Sequence, residues 1–181
     1  QMTATLTPAV VNACQAVRET ADAATVQQAF ASLQATGRAA YEATGTAAPG
    51  EESTQFAFQS WGAHFCEVTV DEAIAQLRIT RWVSVMNVGR VLNVKTAASQ
   101  IRGGIIMGIG SALMEECHFD PATGHPVVYD LATYHFPAHA DIPRIEVTFV
   151  GEPDLNLNPL GVRGVGEIGF LGVAPAEANA V

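Results

Sequence analysis

The sequence predicts an α+β domain in which helices and mixed sheets form layers. Apolar residues recur at helical spacing near the N-terminus, whereas apolar and polar residues alternate in the middle of the chain, as in strands. A long apolar segment with helical periodicity then separates two strand-like regions, which favours a sheet covered by a helix. With 181 residues, 49% of them hydrophobic and only 15% charged, the chain can build a substantial core.

Residues 1–38 are predicted to form a helical segment. Pro8, preceded by a threonine, predicts the first turn of one helix, because proline is well tolerated there. Thr25 and Gln28 form a capping-box pattern at the start of a second helix, which Gly37 would end. Both helices are interpreted as packing elements.

Residues 39–181 are predicted to contain the strands and the chemistry. Strands at 56–70 and 77–85 would form a hairpin. One face of its second strand would carry Leu77, Ile79, Val83 and Val85. Shorter strands are predicted at 127–129 and 145–149.

A helix predicted at residues 96–116 contains four glycines. Its apolar stripe would comprise Ile101, Ile105, Ile109 and Leu113. Each interior glycine costs about 1 kcal/mol relative to alanine. Several together indicate that either another backbone or a ligand approaches this helix closely.

The charge and the apolar runs exclude some classes of partner. A formal net charge of -9 disfavours nucleic acid and anionic membrane surfaces. The longest apolar run, at residues 105–114, is shorter than a membrane span, for which about 20 residues are needed. No secretory signal is visible, so the cytoplasm and the periplasm both stay open. Because helical patterning continues to the last residue, we expect a piece of a longer polypeptide.

The cysteines and histidines do not predict a metal site in this chain. Cys14, Cys66 and Cys117 are widely spaced and are interpreted as buried thiols. His135 and His139 are separated by Pro137, which argues against pairing on one helix face. No Gly-x-Ser-x-Gly, phosphate-loop or Gly-x-Gly-x-x-Gly motif is present.

A glycine-rich stretch at residues 161–169 surrounds one carboxylate, that of Glu167. Glycine backbone can lie directly against a ligand, and the apolar residues that follow predict a helix, so Glu167 would stand where a loop enters that helix. Such a carboxylate is suited to act as a general base. The alternative is an ordinary glycine-rich turn with a solvated glutamate.

Five segments occur in an order that resembles a known family. They are His-Phe-Cys-Glu-Val at 64–68, Gly-Arg-Val-Leu-Asn-Val-Lys-Thr at 89–96, Ser-Gln-Ile-Arg-Gly-Gly at 99–104, Asp-Ile-Pro at 141–143 and Gly-Val-Gly-Glu at 164–167. Together they resemble the C-terminal part of the molybdenum-binding subunit of the xanthine dehydrogenase and aldehyde oxidase family. Within it, the likeness is greatest to bacterial three-subunit aldehyde oxidoreductases.

The resemblance implies a layered molybdopterin-binding domain from the C-terminal portion of a larger subunit. It implies a hydroxylase that oxidises a small aldehyde or heteroaromatic substrate with oxygen from water, with Glu167 as the catalytic base. The cofactor would be of the molybdopterin type, and the cytosine dinucleotide form is one of the forms that the resemblance allows. The residues implied to approach it are Gln100, Gly103, Gly164, Val165 and Gly166. Asn87 stands where the family usually has Asp, and Arg102 stands where many members have Glu. These two differences in charge affect the expected contacts with the cofactor or the docking of subunits.

The same resemblance implies three kinds of partner: the remainder of the molybdenum subunit, an iron-sulfur subunit and an FAD subunit. Without them, we expect the isolated chain to be inactive and to bind no cofactor tightly. The competing hypothesis is a scaffold or assembly domain that keeps the fold without a cofactor.

Overall fold

The computed structural model describes residues 2–21, 25–37, 40–48 and 51–181. The chain divides into two compact units. The first comprises residues 1–58 and 152–164, and the second comprises residues 59–151 and 165–181. In the described part of the chain, no helix is both long and apolar enough to cross a membrane.

The described residues of the first unit form three helices, which are α1 (Met2–Ala21), α2 (Val26–Thr36) and α3 (Glu52–Gln55). The capping box of α2 is confirmed, because Thr25 Oγ1 accepts a hydrogen bond from the Gln28 amide at 3.3 Å and the Thr25 amide donates to Gln28 Oε1 at 3.2 Å. Gly37 ends α2 with φ of +64°, as predicted.

The predicted start of α1 is wrong. The helix begins at Met2 and includes Pro8 in its second turn. The apolar spacing continues towards the N-terminus through Leu6, so the helix extends beyond Pro8, although a proline there removes one backbone hydrogen bond and crowds the preceding turn.

The second unit is built on a three-stranded mixed sheet, which confirms the predicted fold class. The strands are β1 (Trp61–Asp71), β2 (Gln76–Asn87) and β3 (Arg144–Phe149), in that order across the sheet. β1 pairs with β2 antiparallel, and β3 pairs with β2 parallel. The strand predicted at 127–129 does not form, since this region has only an isolated bridge between Phe119 and Pro126.

A β-bulge in the hairpin overturns the predicted face of β2. Glu67 pairs with Arg81, but the next residue of β1, Val68, pairs with Ile79, so that Thr80 is the extra residue. Side chains alternate with a period of two, and one inserted residue therefore exchanges the faces beyond it. The buried residues after the bulge are Trp82, Ser84 and Met86, in place of Val83 and Val85.

Helix α4 (Val94–Leu113) covers the sheet and is capped by Asn93, whose Oδ1 accepts a hydrogen bond from the Thr96 amide at 3.1 Å. The predicted stripe holds for three of its four members, because Leu113 is 41% exposed. The core formed between α4, the sheet and the C-terminal helix comprises Ile79, Trp82, Met86, Val88, Ile101, Ile105, Ile109 and Val173.

Two short helices follow at the C-terminal end. They are α5 (Ile168–Leu171) and α6 (Val173–Ala180), separated by Gly172. The predicted last helix is thus interrupted before Pro175, which occupies the first turn of α6, where proline is tolerated. A 3₁₀ turn at His139–Asp141 precedes β3.

Candidate functional site

A cleft of about 790 Å³ lies between α4 and α5 in the second unit. Its lining combines polar side chains, glycine backbone and three large apolar side chains. These residues are Thr96, Ser99, Gln100, Gly103, Gly104, Met107, Gly166, Glu167, Phe170 and Leu171. The α4 residues among them recur every three or four positions and so share one helix face.

The cleft exists because α5 packs closely on α4 through glycines. A Cβ atom at Gly104 would lie 3.0 Å from the carbonyl carbon of Gly169. A Cβ atom at Gly169 would lie 2.6 Å from the carbonyl oxygen of Ile101. The two backbones therefore approach too closely for any larger residue, and this contact fixes α5 against one side of α4.

Gly103 differs from the other glycines of α4. Added Cβ atoms at Gly104, Gly108 and Gly110 would each collide with neighbouring protein atoms, whereas one at Gly103 would have no described atom within 4 Å. Gly103 is exposed and lines the cleft. Packing within the described chain thus explains three of the four glycines and leaves Gly103 without such a reason, although glycine costs about 1 kcal/mol there.

Gln100 connects α4 to the loop that carries the predicted base. Its Nε2 donates a hydrogen bond to the Gly166 carbonyl at 2.8 Å. Gly166 is exposed, and a Cβ atom there would also meet no described atom within 4 Å. Gln100, Gly103 and Gly166, three of the residues predicted to contact a cofactor, therefore lie around one cleft.

Glu167 stands where the loop enters α5, in the place that the sequence predicts for it. Its carbonyl accepts hydrogen bonds from the Phe170 and Leu171 amides at 2.9 and 3.3 Å, so its backbone begins the helix. Its side chain makes no capping hydrogen bond and lines the cleft. The backbone is held while the carboxylate remains available to the space of the cleft.

A polar network lies beneath α5. His64 Nε2 lies 3.3 Å from the Ile168 carbonyl, and His64 Nδ1 lies 2.9 Å from Ser84 Oγ. Trp82 Nε1 donates to Ser84 Oγ at 2.9 Å. Burial lowers the pKa of His64, while the hydrogen bond to the Ile168 carbonyl opposes this by favouring a protonated ring.

The remaining residues that the sequence singled out are not among the residues that line the cleft. Val165 packs against the core, and Gly164 belongs to the first unit. Arg102 is exposed on α4 outside the cleft lining, and Asn87 Oδ1 accepts a hydrogen bond from the Gly89 amide at 3.4 Å.

The cysteine interpretation needs correction. Cys14 and Cys117 are exposed and Cys66 is half-buried, so none of the three is the buried thiol that the sequence predicts. Cys117 follows the end of α4 at Leu113, and Cys66 lies on β1 at one edge of the sheet, so neither thiol is enclosed on all sides. In the described part of the chain, no three His, Cys, Asp or Glu side chains group together as metal ligands would.

Several cleft residues were not singled out from the sequence. Thr96 and Met107 share the α4 face with Gln100, so helical periodicity counted from Gln100 could have found them. Phe170 and Leu171 follow Glu167 on α5 and give the cleft an apolar wall, but nothing in their spacing indicates it.

Comparison with known proteins adds an independent observation. The family model described as the molybdopterin cofactor-binding domain matches residues 1–143. This match includes Gln100 and Gly103 and ends before Glu167. The aldehyde oxidoreductase molybdenum-binding subunit PaoC of Escherichia coli (strain K12) is 44% identical over 132 residues, covering 73% of this chain and 18% of PaoC.

Solved structures agree with this likeness. Quinoline 2-oxidoreductase from Pseudomonas putida 86 superposes with a TM-score of 0.61 at 32% identity, covering 64% of this chain and 14% of that one. Aldehyde oxidoreductase from Desulfovibrio gigas superposes with a TM-score of 0.54 at 30% identity, covering 66% of this chain and 12% of that one. The chain therefore spans less than a fifth of the length of these relatives.

The family match covers more than half of the chain, and the cleft between α4 and α5 contains residues that the resemblance assigned to cofactor contact. The chain belongs to the molybdopterin cofactor-binding domain family, which occurs in molybdenum-binding subunits of the aldehyde oxidoreductase and xanthine dehydrogenase type.

Proposed function

We propose that this chain forms one wall of the molybdenum site of a hydroxylase, with Glu167 as the general base. The observation that carries the proposal is the open surface at Gly103 and Gly166, where glycine is present although no described atom requires it. A ligand that lies flat against both backbones would explain why these two positions are glycine. A molybdopterin-type cofactor fits such an open glycine surface, and its cytosine dinucleotide form is one form that we propose.

The cofactor, when bound, supplies two-electron oxidation of a substrate carbon, with water as the source of oxygen. The protein has to orient it and to manage protons. Gln100 holds the Gly166 carbonyl and so fixes the backbone that the cofactor would approach. Its second amide hydrogen and its carbonyl oxygen remain to contact the cofactor.

Glu167 is proposed to accept a proton during substrate oxidation. Its backbone is fixed by α5, and its carboxylate faces the cleft without a capping bond to hold it elsewhere. A positioned base of this kind contributes a rate factor of roughly 10² to 10⁴. Phe170, Leu171 and Met107 supply apolar surface beside it, which suits the hydrocarbon portion of a small aldehyde or heteroaromatic substrate.

The electrons are proposed to leave through partner subunits. A two- or four-iron cluster takes four protein ligands, usually all cysteines, and this chain has three cysteines in total. The relative PaoC is named a molybdenum-binding subunit, which supports placing the iron-sulfur clusters and the FAD on separate subunits, and the rest of the molybdenum site on the remainder of a longer subunit.

The test is Glu167→Gln in the complete enzyme, with the exposed Glu72→Gln as the matched control. Molybdenum content and the rate of enzyme reduction are measured anaerobically, with benzaldehyde and quinoline as probes. The proposal predicts normal molybdenum in both variants and a rate at least about 100-fold lower in Glu167→Gln alone. Wild-type rates in Glu167→Gln at full molybdenum occupancy would remove Glu167 from the mechanism.

A further inference from the structure

We infer that His64 is a positioning residue for Glu167, an inference that rests on the proposed role of Glu167 as the base. His64 lies on β1, outside the cleft lining, and contacts α5 through the Ile168 carbonyl. It acts on the backbone that follows Glu167 and touches neither substrate nor cofactor.

The first step is the shortness of α5. A helix of four residues has almost no internal hydrogen bonds, so packing rather than propensity sets its orientation. One side of α5 is fixed by the glycine contacts with α4. A second contact with α5 comes from β1, through His64.

The second step is that His64 contacts both ends of α5. Its Nε2 meets the carbonyl of Ile168, the first residue of the helix and the one bonded to Glu167. Its ring also packs directly against Gly172, the residue that ends α5, where any side chain would collide with the imidazole. One rigid ring therefore determines where α5 begins and ends.

The third step is the tautomer of His64. A carbonyl can only accept, so Nε2 carries the proton that is donated to Ile168. Nδ1 then accepts from the Ser84 hydroxyl, whose oxygen accepts from Trp82 Nε1. Ser84 and Trp82 are both 0% exposed, so water does not compete for these bonds, and burial favours the neutral ring.

The consequence is a defined direction for the Glu167 carboxylate. Without the donor at Nε2, the Ile168–Gly169 peptide would be free to turn, and the preceding peptide of Glu167 is coupled to it through the two backbone torsions of Ile168. Misplacing a catalytic group by about 1 Å can cost about 100-fold in rate. Loss of His64 should therefore slow the reaction by roughly 10- to 100-fold without removing the cofactor.

The experiment compares three variants of the complete holoenzyme. His64→Leu removes the donor, His64→Gln keeps an amide donor near the same place, and Cys66→Ala is the control. Cys66 lies two residues along β1, and its thiol donates to the Ala176 carbonyl on α6 at 3.3 Å, so the control loses a strand-to-helix bond that does not involve α5. The readout is the rate of reduction per bound molybdenum, with the faster of the two probe substrates.

We expect His64→Leu to be slow, His64→Gln to recover part of the rate and Cys66→Ala to match the wild type. Wild-type rates in His64→Leu would overturn the inference, and so would an equal loss in all three variants. Should His64→Leu not fold, Ser84→Ala decides alone. It leaves the imidazole in place and removes the nearer of the two donors to Nδ1, the other being Trp82 Nε1 at 3.3 Å. It should lower the rate per molybdenum, and a wild-type rate would overturn the inference.

A double-mutant cycle separates this inference from the proposed function. If His64 acts only through Glu167, then His64→Leu has no further effect on rate in the Glu167→Gln background. Effects that multiply would overturn the positioning role while leaving the base in place. An undiminished rate in Glu167→Gln would instead refute the proposed function itself.

Discussion

Glu177 of α6 should make the stability of the second unit depend on pH. Its side chain is 3% exposed, and neither carboxylate oxygen has a hydrogen-bond partner among the described residues. Burial raises the pKa of Glu177 to about 7 from its ordinary 4.5. The neighbouring Cys66 shows the same environment, because burial and then the charge of Glu177 raise the pKa of its thiol.

The sign follows from proton linkage. Because the folded-state pKa is higher than the unfolded one, the folded state binds more protons between pH 4.5 and about pH 7, and stability falls as pH rises through that window. Below this pH window, Glu177 is protonated in both the folded and the unfolded state, and no stability is lost. Above it, the loss is complete and amounts to about 3 kcal/mol, at roughly 1.4 kcal/mol for each pKa unit.

The perturbation is Glu177→Gln, which keeps the shape and removes the ionisable proton. The assay is amide hydrogen exchange of α6 in the complete subunit, corrected for intrinsic exchange rates, at pH 5 and pH 8. We expect the variant to protect α6 more than the wild type at pH 8, by up to about 3 kcal/mol, and to differ little at pH 5. The exposed Glu116→Gln serves as the control. A difference between Glu177→Gln and the wild type that does not change with pH would refute the reasoning.

Four further outcomes are expected. Gly103→Leu should lower molybdenum content, because the leucine side chain fills the space in front of the cleft wall, and should raise thermal stability slightly, because leucine has the higher helix propensity. The control Ser111→Leu, at an exposed position of the same helix, should leave molybdenum content unchanged. Gln100→Ala should lower molybdenum occupancy or activity with near-normal folding, and unchanged values would assign it a surface role. Deletion of Thr80 should leave the protein soluble in an expression and solubility assay, because it removes only the extra residue and keeps Ile79 and Trp82 on one face of β2, whereas deletion of Val83 should prevent folding by exchanging the faces beyond it. Asn93→Ala should destabilise α4 by about 1 kcal/mol in hydrogen exchange, and full protection would argue against the cap.

Local patterns predicted local structure well. The capping box at Thr25 and Gln28 is satisfied within four residues, so its outcome depends on nothing distant. The hairpin, the apolar stripe of α4 and the loop-to-helix position of Glu167 were likewise visible as short-range spacing.

Features that depend on distant contacts could not be predicted. The bulge at Thr80 adds one residue to β2 against β1, and no residue type in the strand indicates it. Gly103 and Gly104 are adjacent identical residues, yet Gly104 packs against α5 and Gly103 faces open space. His64 was visible within a family-like motif, but its contact with Ile168 spans 104 positions and emerges only in the fold.

The central claim is that the cleft between α4 and α5 forms part of a molybdenum site with Glu167 facing it. The most direct measurement is a crystal structure of the complete subunit with its cofactor, with the metal located by anomalous scattering at the molybdenum absorption edge. We expect cofactor density against Gly103 and Gly166, and the molybdenum signal on the side of the Glu167 carboxylate. A molybdenum signal remote from this cleft, with protein side chains filling the space over Gly103, would contradict the account.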